Sequence, residues 1–171
     1  SDVISISREH QEYLVAIVAA SKSQNIVRIF NDGYGEDGAR YQSSVYTQHG
    51  AQITSSSLGY FPQSVATCQG EVFIVAADWR TDSDTARSPL AVLTLNESGA
   101  PSVLTEWKDS AGRVASGPMG CVDGKPRWIE FVDDSDHPDP VGVGVEALVA
   151  FEPDGDPSRI PITRSSQPDE V

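Results

Sequence analysis

The chain has 171 residues, 12 of them basic and 25 acidic, and a formal net charge of -13. This length is sufficient for one domain with its own buried core. The basic residues are few and scattered, which argues against nucleic acid as a partner because phosphate binding needs clustered lysine and arginine. No apolar run approaches the roughly 18 residues that span a membrane, so we expect neutral or cationic partners and no membrane insertion.

Short runs rich in valine, isoleucine and aromatic residues predict β structure from the start of the chain onwards. In a first repeat, about residues 1–57, the predicted strands are 3–6, 13–20, 26–31 and 41–47. The glycine-rich segment 32–38 lacks the lysine and the following helix of a phosphate-binding loop. We interpret this segment as a hairpin connection.

A second repeat, about residues 58–112, contains predicted strands at 64–68, 71–78, 90–96 and 102–107. Its segment Ile74-Val75-Ala76-Ala77 repeats the earlier segment Ile17-Val18-Ala19-Ala20. A third repeat, about residues 113–165, contains predicted strands at 118–122, 127–132, 146–151 and 159–163. It is followed by a polar tail, residues 166–171, and together the three repeats predict one domain over residues 1–165.

The third repeat also resembles the second, because the apolar run 147–151 contains the same types of residue as the run 91–95. Trp128 lies inside an apolar strand and is predicted to be part of the core.

Cys68 and Cys121 occupy similar places in the second and third repeats. A disulfide bond requires Cα atoms within about 7 Å of each other, so we favour small buried thiols and leave the disulfide open.

Four antiparallel strands in a unit of about 50 residues resemble the blade repeats of β-propellers. The resemblance is to the architecture, because the WD40, kelch and sialidase repeat motifs are all absent. It implies an all-β fold of three four-stranded antiparallel blade-like repeats, with a β-sandwich as the alternative. Closed propellers typically have four to eight blades, so the repeats are expected to belong to a larger ring, either a longer propeller or a ring closed by dimerisation.

Connections between second and third blade strands share one face of a propeller with the connections between blades, and enlarged loops on one face usually bind ligands. The second and third repeats have long connections there. Sugars stack on aromatic rings while charged side chains bind their hydroxyl groups. The candidate binding residues are Trp79, Arg80, Asp82, Asp133, Asp136 and His137. Trp107 and Tyr60 are candidates for the same aromatic wall, although Trp79 and Trp107 are better explained as seals between blades.

Asp133, Asp134 and Asp136 provide the oxygen ligands that calcium prefers. The spacing lacks the central glycine and terminal glutamate of a calcium-binding loop, so a solvated acidic loop is favoured over a calcium site. The sequence indicates no cofactor other than this calcium ion.

The preferred function is a non-catalytic recognition module that binds carbohydrate or a partner protein. The alternatives are part of a glycoside hydrolase or lyase propeller and a structural subunit of a larger assembly. The chain lacks a Gly-x-Ser-x-Gly elbow, and no catalytic residue is assigned. Few lysines and many small polar residues favour a secreted, cell-surface or periplasmic location, although no signal peptide is predicted in this sequence.

Overall fold

A computed structural model of the chain describes residues 13–20, 25–35, 38–77, 90–96, 98–107, 113–132, 145–151 and 158–162. All regular structure in these ranges is β. No helix in this part of the chain is long and apolar enough to span a membrane. The strands are β1 (Tyr13–Ala20), β2 (Asn25–Gly35), β3 (Gly38–Tyr46), β4 (Gln52–Ser57), β5 (Phe61–Cys68), β6 (Glu71–Ala77), β7 (Leu90–Leu95), β8 (Pro101–Trp107), β9 (Arg113–Val122), β10 (Lys125–Val132), β11 (Val145–Ala150) and β12 (Ser158–Pro161).

The strands form three four-stranded antiparallel sheets in which every strand pairs with its neighbours in sequence. Sheet 1 contains β1–β4, sheet 2 contains β5–β8 and sheet 3 contains β9–β12. Each sheet stays open, because its first and last strands are not paired with each other. The predicted all-β fold of three blade-like units is therefore confirmed, while the exact domain limits stay a prediction.

Sheet 2 lies between the other two sheets, and its strands β6 and β7 are covered on both faces. Along β6, Val72 and Ile74 pack with residues of sheet 1, whereas Val75 and Ala77 pack with residues of sheet 3. Successive side chains of a strand point to opposite faces, so a strand covered on both sides needs an unbroken apolar run. The run from Val72 to Ala77 meets this requirement.

The first strands of the three sheets lie close together, since β5 contacts both β1 and β9. The later strands of each sheet follow outwards in sequence order. This arrangement matches propeller blades whose first strands surround a common axis.

The strand order of sheet 1 shows that the strands of the first repeat were assigned to the wrong positions within their sheet. Residues 3–6 lie outside the described residues, and the fourth strand of sheet 1 is Gln52–Ser57, which was not predicted. The sequence similarity between the segments 17–20 and 74–77 therefore joins the first strand of sheet 1 to the second strand of sheet 2. The interpretation of the two segments as equivalent strands is wrong. The similarity between the apolar runs 91–95 and 147–151 does join equivalent strands, since β7 and β11 are the third strands of sheets 2 and 3. An apolar run indicates burial and does not reveal the position of a strand within its sheet.

The interpretation of the cysteines as buried thiols is also wrong. Cys68 and Cys121 form a disulfide bond with a Cα–Cα distance of 5.1 Å, which joins the end of β5 to the end of β9. Cys68 is buried and Cys121 lies at the surface. The prediction failed because the distance between the two strands depends on how sheets 2 and 3 stack, and no local pattern records that stacking.

Candidate functional site

The long connections of sheets 2 and 3 leave from corresponding ends of the two sheets. β6 ends at Ala77 and β7 begins at Leu90, while β10 ends at Val132 and β11 begins at Val145. The first strands β5 and β9 begin at this same end, because Phe61 pairs with Ala77 and Arg113 pairs with Val132. We call this end of the sheets the loop end, and the opposite end, which carries the turns at 69–70 and 123–124, the hairpin end.

The predicted binding residues all belong to the connections 78–89 and 133–144. Trp79, Arg80, Asp82, Asp133, Asp134, Asp136 and His137 lie outside the described residues. Their assignment therefore stays a prediction. Within the described ranges, no group of three or more His, Cys, Asp or Glu residues could hold a metal ion, and the predicted calcium ligands are not among those residues.

An aromatic pair lies at the loop end, between sheets 1 and 2. The rings of Tyr41 in β3 and Phe61 in β5 meet edge to face with their centroids 5.1 Å apart. Phe61 remains 41% exposed, whereas Tyr41 and Tyr60 are partly buried against the core between the two sheets. The backbone N–H of Leu58 donates a hydrogen bond to the carbonyl of Tyr41 at 2.9 Å and fixes the start of this connection. Phe61 was not among the residues predicted for the site.

A chain of side-chain hydrogen bonds begins at the same end of sheet 1. The side-chain amide N–H of Gln42 donates to the Asp32 carboxylate at 2.5 Å, and the hydroxyl of Ser55 donates to the side-chain amide oxygen of Gln42 at 3.0 Å. Ser44 in turn donates to Ser55 at 3.0 Å. The exposed guanidinium-bearing residue Arg40 lies two positions before Gln42. The loop end of sheet 1 thus presents both donors and acceptors that are held in place by their neighbours.

Trp107 belongs to the contact between sheets 2 and 3. Its ring lies 6.1 Å from the ring of Trp128, and it packs against the core cluster that contains Val75 and Val149. Trp128 is buried, which confirms its predicted place in the core. Within the described structure, neither indole N–H has a hydrogen-bond partner. These contacts favour a role for Trp107 in closing the contact between two blades over a role in the aromatic wall of a binding site.

A buried ion pair lies in the same contact. The Nε of Arg159 in β12 donates to a carboxylate oxygen of Glu130 in β10 at 3.0 Å, and the Glu130 side chain is almost fully buried. A buried carboxylate requires such a partner because desolvation strongly disfavours an isolated charge. This pair therefore holds the edge strand of sheet 3 and is not placed to meet a ligand.

Comparison with known proteins identifies the family. Residues 2–136 match the family model described as YycP, beta-propeller domain. A comparison with curated proteins found no match, and a comparison with solved structures also found none. The matched residues make up most of the chain and include all of sheets 1 and 2, which agrees with the stacked blade-like sheets. The chain therefore belongs to the family of YycP beta-propeller domains.

Proposed function

We propose that the chain is a non-catalytic recognition module that binds carbohydrate at the loop end of its sheets. The observation that carries this proposal is the aromatic ring of Phe61, a residue that is 41% exposed and whose ring contacts the ring of Tyr41. An aromatic face of this kind stacks against the apolar face of a sugar ring. A ring fixed before binding loses little conformational entropy when the ligand arrives.

Polar groups near this aromatic surface support the same ligand class. Asp32 and Gln42 are oriented by their mutual hydrogen bond, and hydroxyl groups of a sugar match such donors and acceptors. The connection 78–89, which follows β6 at the same end of sheet 2, contains the predicted binding residues Trp79, Arg80 and Asp82. The chain is strongly acidic, so neutral or cationic sugars are the expected ligands and anionic ones are not.

The disulfide bond supports a location outside the cytoplasm. Structural disulfides persist in oxidising compartments and are rare in the cytosol. Cys121 lies at the surface, where cytosolic reductants would reach the bond. We therefore propose that the chain is secreted, periplasmic or displayed at the cell surface.

A glycan array tests the proposed ligand. We expect the wild-type chain to bind a neutral or cationic glycan, and Trp79→Ala and Phe61→Ala each to weaken this binding about tenfold or more, as expected for loss of about 1.4 kcal/mol. Ile53→Ala is the matched control, since Ile53 is an exposed apolar residue near the hairpin end of sheet 1. The array is run with calcium and with EDTA, because Asp133, Asp134 and Asp136 are candidate ligands.

Three results would count against the proposal. Absence of binding to every glycan removes the carbohydrate ligand. Equal losses in Ile53→Ala and Phe61→Ala remove the loop end as the site. Cleavage of a bound glycan during incubation, detected by mass spectrometry, contradicts the non-catalytic assignment and favours the glycoside hydrolase or lyase alternative.

A further inference from the structure

Two hydrogen-bond donors are buried where sheets 2 and 3 meet. The indole nitrogens of Trp107 and Trp128 are shielded from solvent, and among the described residues neither nitrogen has an acceptor. A buried donor that stays unpaired loses its bonds to water and gains nothing in return, so such groups are rare in folded proteins. Two of them occur here on rings whose centroids lie only 6.1 Å apart, and this coincidence requires an explanation.

A carboxylate lies on the same face of sheet 3 as one of these indoles. Trp128 and Glu130 are two positions apart in β10, so their side chains share one face of the sheet. This face meets sheet 2, because Trp128 belongs to the same core cluster as Val75 of β6. Trp128 and Glu130 are each 1% exposed. The contact between the two sheets is therefore polar at this point, although most of its core is apolar.

The carboxylate of Glu130 is oriented by its ion pair. Arg159 donates to one oxygen of the carboxylate at 3.0 Å. Arg159 pairs with Val149 of β11, and Val149 pairs with Trp128, so the guanidinium reaches the carboxylate across the same face. A carboxylate has about four lone-pair sites. It can therefore accept further hydrogen bonds beside the one from Arg159.

The second indole approaches this point from sheet 2. Trp107 is the last residue of β8 and pairs with Leu90, the first residue of β7, at the loop end. Glu130 pairs with Ala115, two positions from the start of β9 at the same end. The two indoles and the carboxylate are therefore gathered in the part of the contact that lies towards the loop end.

We propose that a structural water molecule is bound between sheets 2 and 3, where it accepts hydrogen bonds from the indole N–H groups of Trp107 and Trp128 and donates to the Glu130 carboxylate. A buried water typically binds about three polar groups, and these residues provide two donors and one acceptor. An anion suits the site less well because the carboxylate would repel it. A metal ion suits it less well because an indole nitrogen only donates.

This water attaches sheet 3 to sheet 2 at the end of the contact opposite the disulfide bond. Cys68 and Cys121 join the two sheets at the hairpin end. The water extends the ion pair of Arg159 and Glu130 into a chain of hydrogen bonds that reaches Trp107 of β8. The contact is thus held by a covalent link at one end and by a water-mediated network towards the other. The network belongs to the fold and does not depend on the proposed carbohydrate site.

NMR spectroscopy of the full chain, isotope-labelled at its indole nitrogens, tests the proposal. Rotating-frame Overhauser spectra separate dipolar contact with water from chemical exchange, because the two give cross peaks of opposite sign. We expect dipolar cross peaks between water and the indole protons of Trp107 and Trp128. Trp107→Phe and Trp128→Phe assign the two resonances, and each should remove its own cross peak.

A double variant tests the acceptor. Glu130→Leu combined with Arg159→Leu should abolish both cross peaks, and it is expected to fold because apolar replacement of a whole buried pair is often neutral. Circular dichroism checks that it folds. Arg127→Leu is the control, since it removes the cation of the pair that Arg127 forms with the exposed Asp123 in the same sheet, and it should leave both cross peaks unchanged.

Three results would overturn the proposal. Absence of dipolar contact in the wild-type chain removes the water and favours N–H···π contacts between the two rings. Cross peaks that persist in the folded double variant show that Glu130 does not hold the water. Equal loss in the control and in the double variant shows that the effect is not specific to the buried carboxylate. A crystal structure provides a second check, since a water oxygen should lie about 3 Å from both indole nitrogens, and a protein acceptor at either nitrogen contradicts the assigned site.

Discussion

Cys68 and Cys121 join the hairpin ends of sheets 2 and 3 by a disulfide bond. The turns beside the two cysteines also meet, because a Cβ atom added at Gly124 would collide with the side-chain amide of Gln69. A different contact holds sheets 1 and 2, where the hydroxyl of Ser43 donates to the carbonyl of Gly99 at 2.6 Å. Each pair of neighbouring sheets therefore has its own attachment in addition to the apolar core.

Loss of the disulfide should destabilise the chain without changing its fold. The bond closes a loop between cysteines separated by 53 positions, and removing a link of this length costs about 2–4 kcal/mol, largely by freeing the unfolded chain. Thermal unfolding with and without reductant measures the effect. The double variant Cys68→Ala and Cys121→Ala should match the reduced protein and show no response to reductant. Equal melting temperatures for oxidised and reduced wild type would contradict this expectation.

Gly99→Ala should weaken the contact between sheets 1 and 2. Gly99 has a φ of +75°, and a Cβ atom there would lie 2.6 Å from a methyl group of Val45. The left-handed backbone costs about 1–2 kcal/mol for a residue with a side chain, and the overlap adds about 1–3 kcal/mol. Gly33→Ala is the matched control, since Gly33 has a φ of +102° with no atom within 4 Å of the added Cβ. If urea unfolding gives the same loss of unfolding free energy for both variants, the methyl group of Val45 does not oppose the substitution.

Arg159→Leu should be strongly destabilising because it removes the cation that contacts the almost fully buried Glu130 carboxylate at 3.0 Å. Breaking a buried pair in this way costs about 3 kcal/mol. Adding Glu130→Gln should recover part of the loss, because a neutral amide needs no counter-charge. Asp123→Asn, which removes the exposed partner of Arg127, should cost less than about 1 kcal/mol. Urea unfolding of all four proteins measures these differences, and a double variant no more stable than Arg159→Leu would rule out the charge as the cause.

Gln69→Asn should stabilise the hairpin between β5 and β6. Gln69 and Gly70 both have positive φ angles, of 49° and 82°, as a type I′ turn requires. Asparagine adopts this conformation more readily than glutamine, so we expect a gain of about 0.5 kcal/mol. Asp123→Asn at the equivalent turn should change stability less, because aspartate already tolerates its φ of 53°. A lower melting temperature for Gln69→Asn would instead show that the contact between Gln69 and Gly124 outweighs the backbone preference.

The strands of sheet 2 were predicted closely. In sheet 1, β1, β2 and β3 were located but assigned to the wrong positions within the sheet, and β4 was not predicted. In sheet 2, apolar runs are long and end at clear turn residues, so predicted and observed ends differ by at most three positions. Gln52–Ser57 is mostly polar and its residues are exposed or only half-buried. An edge strand of this kind has no core face to fill and therefore leaves no apolar signature.

The candidate site was only partly accessible to sequence reasoning. Trp128 was assigned to the core from its apolar neighbours, and its burial confirms the assignment. Phe61 was missed because exposure of a strand-initial aromatic depends on what the adjoining sheet covers. The ring of Tyr41, which fixes Phe61, comes from a different sheet, so no pattern within β5 reveals the contact.

The amino-acid sequence by itself determines the β class of this protein, the approximate bounds of the strands in sheet 2 and the burial of Trp128, because alternation, apolar runs and turn residues act between near neighbours. The tertiary structure alone decides that Cys68 meets Cys121, that Ser43 binds Gly99, and that Ile160 is left exposed. These features join positions in different repeats of the chain, or depend on a missing neighbour, and both follow from how whole sheets stack.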